Sequence, residues 1–240
     1  MQPIAGLVCG ICGERLASPY AVSDGVARCG ACQCLEPLFA KAVAYGSYEG
    51  GLRELVHLLK YEQVRPAAAV LGRMLGEAVG AVAALLDQAQ PLVVPVPLHA
   101  AKLRQRGFNQ SELIARAALK SPALTPVSWP LHTAVLERLR PTESQTGLTR
   151  HQRRENIRGA FKVNDADTIA GRTILLVDDV FTTGTTVSEC ARVLRKAGAV
   201  QVWVATVARV LLPELTFAVP GNASEKEEAA PEPRAMAATV

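Results

Sequence analysis

Leu52, Leu55, Val56 and Leu59 follow Gly50-Gly51 at i, i+3, i+4 and i+7. That spacing lines one face of a 3.6-residue period and predicts an amphipathic helix. Pro66 to Leu86 is rich in Ala, Leu and Val and opens on proline, whose fixed φ suits a first helical turn, so it predicts a helix over that span. Ser111 to Leu119 reads as a further helix. Leu92 to Val96, Thr173 to Val177 and Val200 to Val207 are short apolar runs that read as buried strands. Thr185 to Lys196 reads as a helix closed by Gly198. Strand, helix and strand within 35 residues form a βαβ unit, which requires a parallel sheet and predicts an α/β domain.

Composition bounds this reading. The 240 residues are 49% hydrophobic and 20% charged, which suits a globular chain; 18 Gly and 15 Pro exclude a collagen-like one. Residues 1–40 hold five of the six cysteines, and the segment from Val219 onward has no aromatic residue and mixes charge with proline. Such a segment buries too little apolar surface to offset its ordering entropy and is expected to be disordered. The division expected is therefore 1–40, a cysteine-bearing unit; 41–217, the α/β domain; and 218–240, a tail. Twenty-six basic against 22 acidic residues give +4, an excess that permits contact with phosphate or nucleic acid without arguing for it. No stretch reaches the ~18 apolar residues of a membrane span. No Lys or Arg precedes Arg15, so no leader is expected and the chain reads as a soluble cytoplasmic protein.

Cys9, Cys12, Cys29 and Cys32 form two C-x2-C pairs separated by sixteen residues. Each pair sets two thiolates on one tight turn, and two such turns complete a tetrahedron around structural Zn²⁺. Gly10, Gly13 and Gly30 stand where the turns need conformational freedom. Two disulfides, or buried free thiols, are the alternatives, and a cytoplasmic setting disfavours the first. Cys34 can replace Cys32 as a ligand, although the regular spacing selects Cys32. Cys190 reads as a core residue of the helix after Gly184.

Thr173 to Thr186 reads TILLVDDVFTTGTT: an apolar strand, two carboxylates, a Thr/Gly loop, then a helix. Thr182, Thr183, Gly184, Thr185 and Thr186 offer consecutive peptide N–H groups and four hydroxyls at a helix N-terminus, a nest suited to a phosphate monoester. Asp178 and Asp179 stand at the strand's carboxyl end, placed for hydroxyls or Mg²⁺. No lysine follows the glycine, which excludes a Walker loop, and two glycines of the dinucleotide fingerprint are missing. A plain helix cap after an acidic strand end is the alternative.

LLVDDVFTTGTT resembles the signature of the phosphoribosyltransferases. The resemblance implies that Asp178 and Asp179 are catalytic residues holding the ribose hydroxyls of phosphoribosyl pyrophosphate (PRPP), with Mg²⁺. It implies that residues 182–186 bind its 5′-phosphate. The blocks LVVPVPLHAAKLRQRGFNQSELIA and RLRPTESQTGLTRHQRRENIRGAF, preceded by the cysteine pairs and HLLKY, are similar to the ComF/GntX family over roughly residues 7–210. Those are phosphoribosyltransferase-like proteins with an N-terminal zinc ribbon. The resemblance implies a type I phosphoribosyltransferase-like parallel sheet flanked by helices. It also implies a role beside the DNA-uptake machinery of competence, or in sugar-acid utilisation.

The same resemblance makes Val96, Pro97 and Leu98 the pyrophosphate loop. Lys102, Arg104 and Arg106 follow within ten residues and suit its charge, with a solvated helix start as the alternative. Residues 138–158 carry six arginines against Glu143 and Glu155. Related transferases close a flexible lid over PRPP to exclude water, and residues 141–155, with Gln145, Arg150, Arg153 and Arg154, are expected to form it. A nucleic-acid patch is the rival reading of these arginines, although few aromatics accompany them for base stacking. His57 reads as structural and His99 as a weak ligand candidate; none of the four histidines is paired at metal spacing. Two functions follow: transfer of a phosphoribosyl group to an unknown acceptor, or a non-catalytic module that binds a ligand or nucleic acid and acts through partners in DNA uptake.

Overall fold

The computed structural model describes residue 4 and residues 6–16, 22–23, 25–124, 128–141 and 150–211. Its centre is a four-stranded, all-parallel sheet. In chain order the elements are β1 (Val22–Ser23), β2 (Val26–Ala27), α1 (Gly30–Leu35), β3 (Lys41–Ser47), α2 (Gly50–Tyr61), α3 (Ala67–Gly80), α4 (Ala83–Asp87), β4 (Leu92–Pro95), α5 (Ala100–Arg106), α6 (Gln110–Ala118), β5 (Leu136–Arg138), α7 (Arg150–Ile157), β6 (Phe161–Val163), β7 (Thr173–Phe181), α8 (Thr185–Lys196) and β8 (Gln201–Arg209). The sheet order is β3-β8-β7-β4. The α/β reading therefore holds, with a phosphoribosyltransferase-like parallel sheet flanked by helices.

Alternation along the strands builds two cores. Ile174, Leu176, Leu92, Val94, Val202 and Val204 face one side, where α8, the β5–β6 hairpin and the cysteine segment pack. Leu175, Val177, Val93, Trp203 and Ala205 face the other, under α2, α3 and α6. A strand buried on both faces reads as a continuous apolar run, which is why TILLV and LVVP were legible as strands.

The seam between α3 and α6 is closed by glycines. Gly72, Gly76 and Gly80 recur every four residues on α3. A Cβ at Gly72 would lie 2.3 Å from Ala117 Cβ, and one at Gly76 would lie 2.5 Å from Ser121 Cβ. The third glycine also explains why the helix expected over Pro66 to Leu86 is two helices. Glycine is a poor helix former, α3 ends at Gly80, and Val82 leaves helical geometry at φ −121°. The second helix then returns Leu86 to the core, fully buried.

Three other elements differ from the sequence expectation. β7 runs to Phe181, so the acidic pair lies inside the strand's last turns of pleat and not beyond its end. β3, rich in Ala and Gly, carries too weak an apolar signal to stand out, yet it pairs with β8 in parallel. Residues 150–155 of the expected lid begin a helix, α7, anchored by buried Ile157. Arg, Gln and Glu favour helix intrinsically. Residues 142–149, Gln145 among them, and the tail 218–240 lie outside the described residues.

The glycine seam makes a signed prediction. Gly72→Ala overpacks a closed contact, which costs about 1–3 kcal/mol. Gly51→Ala, with nothing within 4 Å and no positive φ, loses only unfolded-state freedom and gains about 0.4–1 kcal/mol. Calorimetry should find the first thermal midpoint below wild type and the second at or above it; a Gly72→Ala midpoint at or above wild type contradicts the seam.

Candidate functional site

In an open parallel sheet, ligands enter where helices leave neighbouring strands toward opposite faces. β4 and β7 are such neighbours: α6 packs on one face and α8 on the other. The carboxyl ends of these two strands carry the segments 96–98 and 178–186.

Side-chain alternation breaks at the acidic pair. Val177 and Val180 both pack toward the α2–α3–α6 face, and Phe181 is thrown to the opposite core. Two peptide groups of this stretch bond to carboxylates: Asp179 N–H donates to Asp178 Oδ1 (2.9 Å) and Val180 N–H to Asp179 Oδ1 (2.7 Å). Ser111 Oγ, in the first turn of α6, donates to Asp178 Oδ1 at 3.0 Å. Lys60 Nζ, near the end of α2, lies 2.6 Å from Asp179 Oδ2, with the two side chains only 18% and 6% exposed.

The electrostatics follow from crowding. Burial, and then the Asp179 charge, push the Asp178 carboxyl up to about 7, against the pull of Lys60. Burial alone would lower the Lys60 ammonium, but Asp179 outweighs it and holds Lys60 above the usual lysine range. The Asp178 carboxyl therefore holds its proton closer to neutrality than an ordinary aspartate does.

Beyond Phe181 the chain turns through residues 182–184 into α8. Gly184 is the N-cap residue at φ 75°. A Cβ there would lie 2.6 Å from the Phe181 ring, so the glycine serves both the left-handed turn and a close approach from below. Thr182 is exposed, Thr183 and Thr186 are half-buried, Thr185 is buried, and Thr183 Oγ1 lies 3.2 Å from Thr185 Oγ1. Residues 182–184 therefore lead directly into the first turn of the twelve-residue helix α8, at its positive dipole end.

Across the crevice, Val96 N–H is spent on Val177 O (2.8 Å) and Val96 O accepts from Asn109 Nδ2 (3.0 Å). Pro97 has no N–H, so Leu98 carries the segment's remaining one. Lys102 and Arg104 are exposed on α5, whereas Arg106 is buried and donates to Gln110. His99 is the N-cap of α5, its Nδ1 accepting from Ala101 N–H. His57 packs against the rings of Tyr48 and Tyr61. Arg150, Arg153 and Arg154 lie on α7. The basic turn after α7 is tied to α8 by buried Glu189, which accepts from Gly159 N–H (2.7 Å) and from Arg192 twice (2.8 Å each).

The cysteines form a second centre. The Sγ atoms of Cys9, Cys12, Cys29 and Cys32 all lie within 4.8 Å of one another. A tetrahedral ion with M–S near ~2.3 Å sets its sulfurs about 3.8 Å apart, so the four fit a thiophilic metal. Cys12 and Cys29 sulfurs are 3.6 Å apart, far beyond a disulfide bond, and all six cysteines are free. Exposed Cys34 is not in the cluster, and Cys190 is buried on α8 as expected. Of the three glycines beside the pairs, only Gly13 takes positive φ.

The comparisons decide the family. The phosphoribosyl transferase domain matches residues 128–216, the stretch holding β7, the loop and β8. Competence protein F of Haemophilus influenzae is 32% identical over 199 residues, covering 81% of this chain and 82% of that one. The chain belongs to the ComF/GntX family. The DNA utilization protein YhgH of Salmonella typhimurium is a further relative, 33% identical over 199 residues and 82% of each chain. The solved purine phosphoribosyltransferase of Pyrococcus horikoshii is 14% identical, with a TM-score of 0.31, and is covered for 86% against 57% of this chain. For this ComF/GntX protein, the described residues include no helix long and apolar enough to cross a membrane.

Lys60 and Ser111 were missed as site residues from sequence. Their signal was faint: a lysine on the penultimate position of an amphipathic helix, and a serine at a helix start. Only the sheet brings both to β7.

The raised Asp178 carboxyl makes stability depend on pH. Its folded value lies above the ordinary 3.8, so the native state binds more protons, and stability falls as pH rises from about 4 through about 7. Asp178→Asn should raise the thermal midpoint at about pH 8 and leave it unchanged at about pH 4. Equal midpoints at the higher pH contradict the crowded-pair description.

Proposed function

We propose that this chain binds Mg²⁺–PRPP at the carboxyl end of β7 and transfers its phosphoribosyl group to an acceptor nucleophile. The observation that carries the reading is the acidic pair inside the end of β7, directly before the Thr/Gly loop at the α8 N-terminus and across a switch-point crevice from residues 96–98. Residues 182–186 take the 5′-phosphate through peptide N–H groups and hydroxyls. Asp178 and Asp179 take the ribose hydroxyls, and they are the residues that would hold Mg²⁺. That ion supplies charge neutralisation on the pyrophosphate. Lys60 lies against Asp179 at 2.6 Å and holds it in place. Leu98 N–H, Lys102 and Arg104 face the pyrophosphate, while Arg106 braces the turn between α5 and α6.

In the reaction the bond from C1′ to pyrophosphate breaks and its electron pair leaves with pyrophosphate. The acceptor's lone pair forms the new bond to C1′, and its proton passes to solvent or a base. The carboxylates lie where positive charge develops on the ribose. The arginine-bearing segment 141–155 is the lid of this reading. The relatives' names, competence protein and DNA utilization protein, support a role for this chain in competence and the use of DNA. We assign Zn²⁺ to the four cysteines, as a closed structural site contributing to folding of the N-terminal unit.

Three measurements test this. Each hydrogen bond to a charged group is worth about 1.5–3 kcal/mol, so Asp178→Asn with Asp179→Asn should weaken Mg²⁺–PRPP binding in titration calorimetry by more than about tenfold. Equal binding by the variant rejects the clamp; no measurable affinity in wild type rejects the enzyme and leaves the ligand-binding module. Pyrophosphate release across a panel of bases and amines then names the acceptor class. Metal analysis should find one zinc ion per chain, and a zinc-free protein with oxidised cysteines rejects that assignment.

A further inference from the structure

We propose that Arg209 is a positioning residue that holds the anion loop in place from the cysteine centre, so that metal occupancy of the four thiols sets the order of residues 182–186. It rests on the reading of that loop as a phosphate site, and it assigns the N-terminal ribbon a task in ligand binding.

Arg209 is the last residue of β8 and is 3% exposed. Burying a guanidinium is costly unless acceptors meet its donors. Both terminal nitrogens of Arg209 find them in the ribbon, while its buried Nε has no hydrogen-bond partner among the described residues: Nη1 donates to Cys12 O, and Nη2 donates to Glu14 Oε2 at 2.8 Å and lies 3.6 Å from Cys12 Sγ. Every one of these partners sits on the turn that also carries the first pair of ligating sulfurs. Outer-sphere donors to a ligand sulfur orient that ligand, and the dependence is mutual. Gly13 N–H donates to Cys9 O (2.9 Å), Cys9 N–H donates to Glu14 O (2.7 Å), and Ala42 N–H donates to Ile11 O (2.6 Å), which docks the same turn on β3.

The other face of the guanidinium lies over the Phe181 ring, 4.4 Å from its centroid. Phe39 closes the ring from a second side, edge-on at 6.1 Å. The ring in turn fills the space beneath Gly184, the N-cap of α8, where an added Cβ would lie 2.6 Å from it. Val210 N–H donates to Phe181 O (2.9 Å), so the strand ends are tied at the same level. The contacts therefore run unbroken from Cys12 through Arg209 and Phe181 to Gly184, and each step is a packed or hydrogen-bonded neighbour.

A metal held by four thiolates carries net negative charge, which the Arg209 cation partly offsets. Without the metal the turn loses its cross-link to Cys29 and Cys32, and Arg209 loses fixed acceptors. A guanidinium free to leave Phe181 lets the ring turn, and Gly184 loses the floor that keeps the loop's N–H groups aimed at one point. Preorganised donors bind an anion better than donors that must be ordered on binding.

The experiment uses the full metal-loaded chain, the chelator-treated chain, Arg209→Met and Phe181→Leu. Amide hydrogen exchange is read for residues 182–187 and, as internal reference, for α6 and β7. Binding of inorganic phosphate and of PRPP is read by calorimetry, and metal content by elemental analysis. Arg209→Met should keep its metal, exchange residues 182–187 about tenfold faster, and bind phosphate about tenfold more weakly, the change produced by losing one hydrogen bond to a charged group. Chelation of wild type should do the same, and chelation of Arg209→Met should add nothing, because both act on one chain of contacts. Phe181→Leu keeps the ribbon contacts intact and should loosen the loop alone, which covers the case in which Arg209→Met does not fold. Unchanged exchange in 182–187 after metal removal overturns the inference, and so does a rise that merely parallels α6 and β7. If wild type binds neither phosphate nor PRPP, the proposed function fails, while the exchange result still decides the relay.

Discussion

Two carboxylates at the end of a strand buried on both faces are costly, and the ion pair between Lys60 and Asp179 offsets that cost. Asp179 is almost wholly buried and Asp178 is raised toward neutrality by its surroundings. Without the lysine, the two carboxylates would meet the cost of burial with no opposite charge beside them. The lysine comes from α2, so the helix that looks like simple cover for β3 and β8 is also what makes the acidic pair tolerable. Its apolar side, Leu52, Val56 and Leu59, anchors it, and that anchoring delivers Lys60 to the sheet edge.

The serine arrives by a parallel route. α6 packs so closely on α3 that glycines stand at the seam, and this brings the first turn of α6 down to β7. Close packing elsewhere thus sets distances in the site. The same economy holds on the opposite face, where the end of β8 meets the cysteine turn through Arg209 and Phe181. A small four-cysteine unit with little core of its own gains stability by docking there, and the Phe181 ring lies between it and Gly184.

Much of the site could be read in advance because its chemistry is local. The two C-x2-C pairs, the two adjacent carboxylates and the Thr/Gly loop into a helix are each short patterns of neighbouring residues. The strands around them were legible since they are buried on both faces and so carry apolar runs such as LVVP and ILLV. β3 was not, because Ala42, Ala44 and Gly46 let a strand form through pairing with β8 and not through its own apolar signal. The break after Gly80 was hidden for a similar reason: alanine-rich sequence on both sides favours helix, and only the seam with α6 and the turn at Val82 divide it.

By itself, the amino-acid sequence determined the parallel α/β core, the metal-spaced cysteines, and the acidic pair followed by a Thr/Gly loop. Helical and strand periods, turn spacing and consecutive donors are properties of neighbouring residues. Tertiary structure decided which partners the charged groups met. Lys60, Ser111 and Arg209 are ordinary polar residues of their elements until the sheet order and the phase slip after Val177 point them at Asp179, Asp178 and Cys12. A buried charge is satisfied by whatever the fold brings within about 3 Å. That distance is set by packing between segments as much as 197 positions apart, which no local pattern encodes.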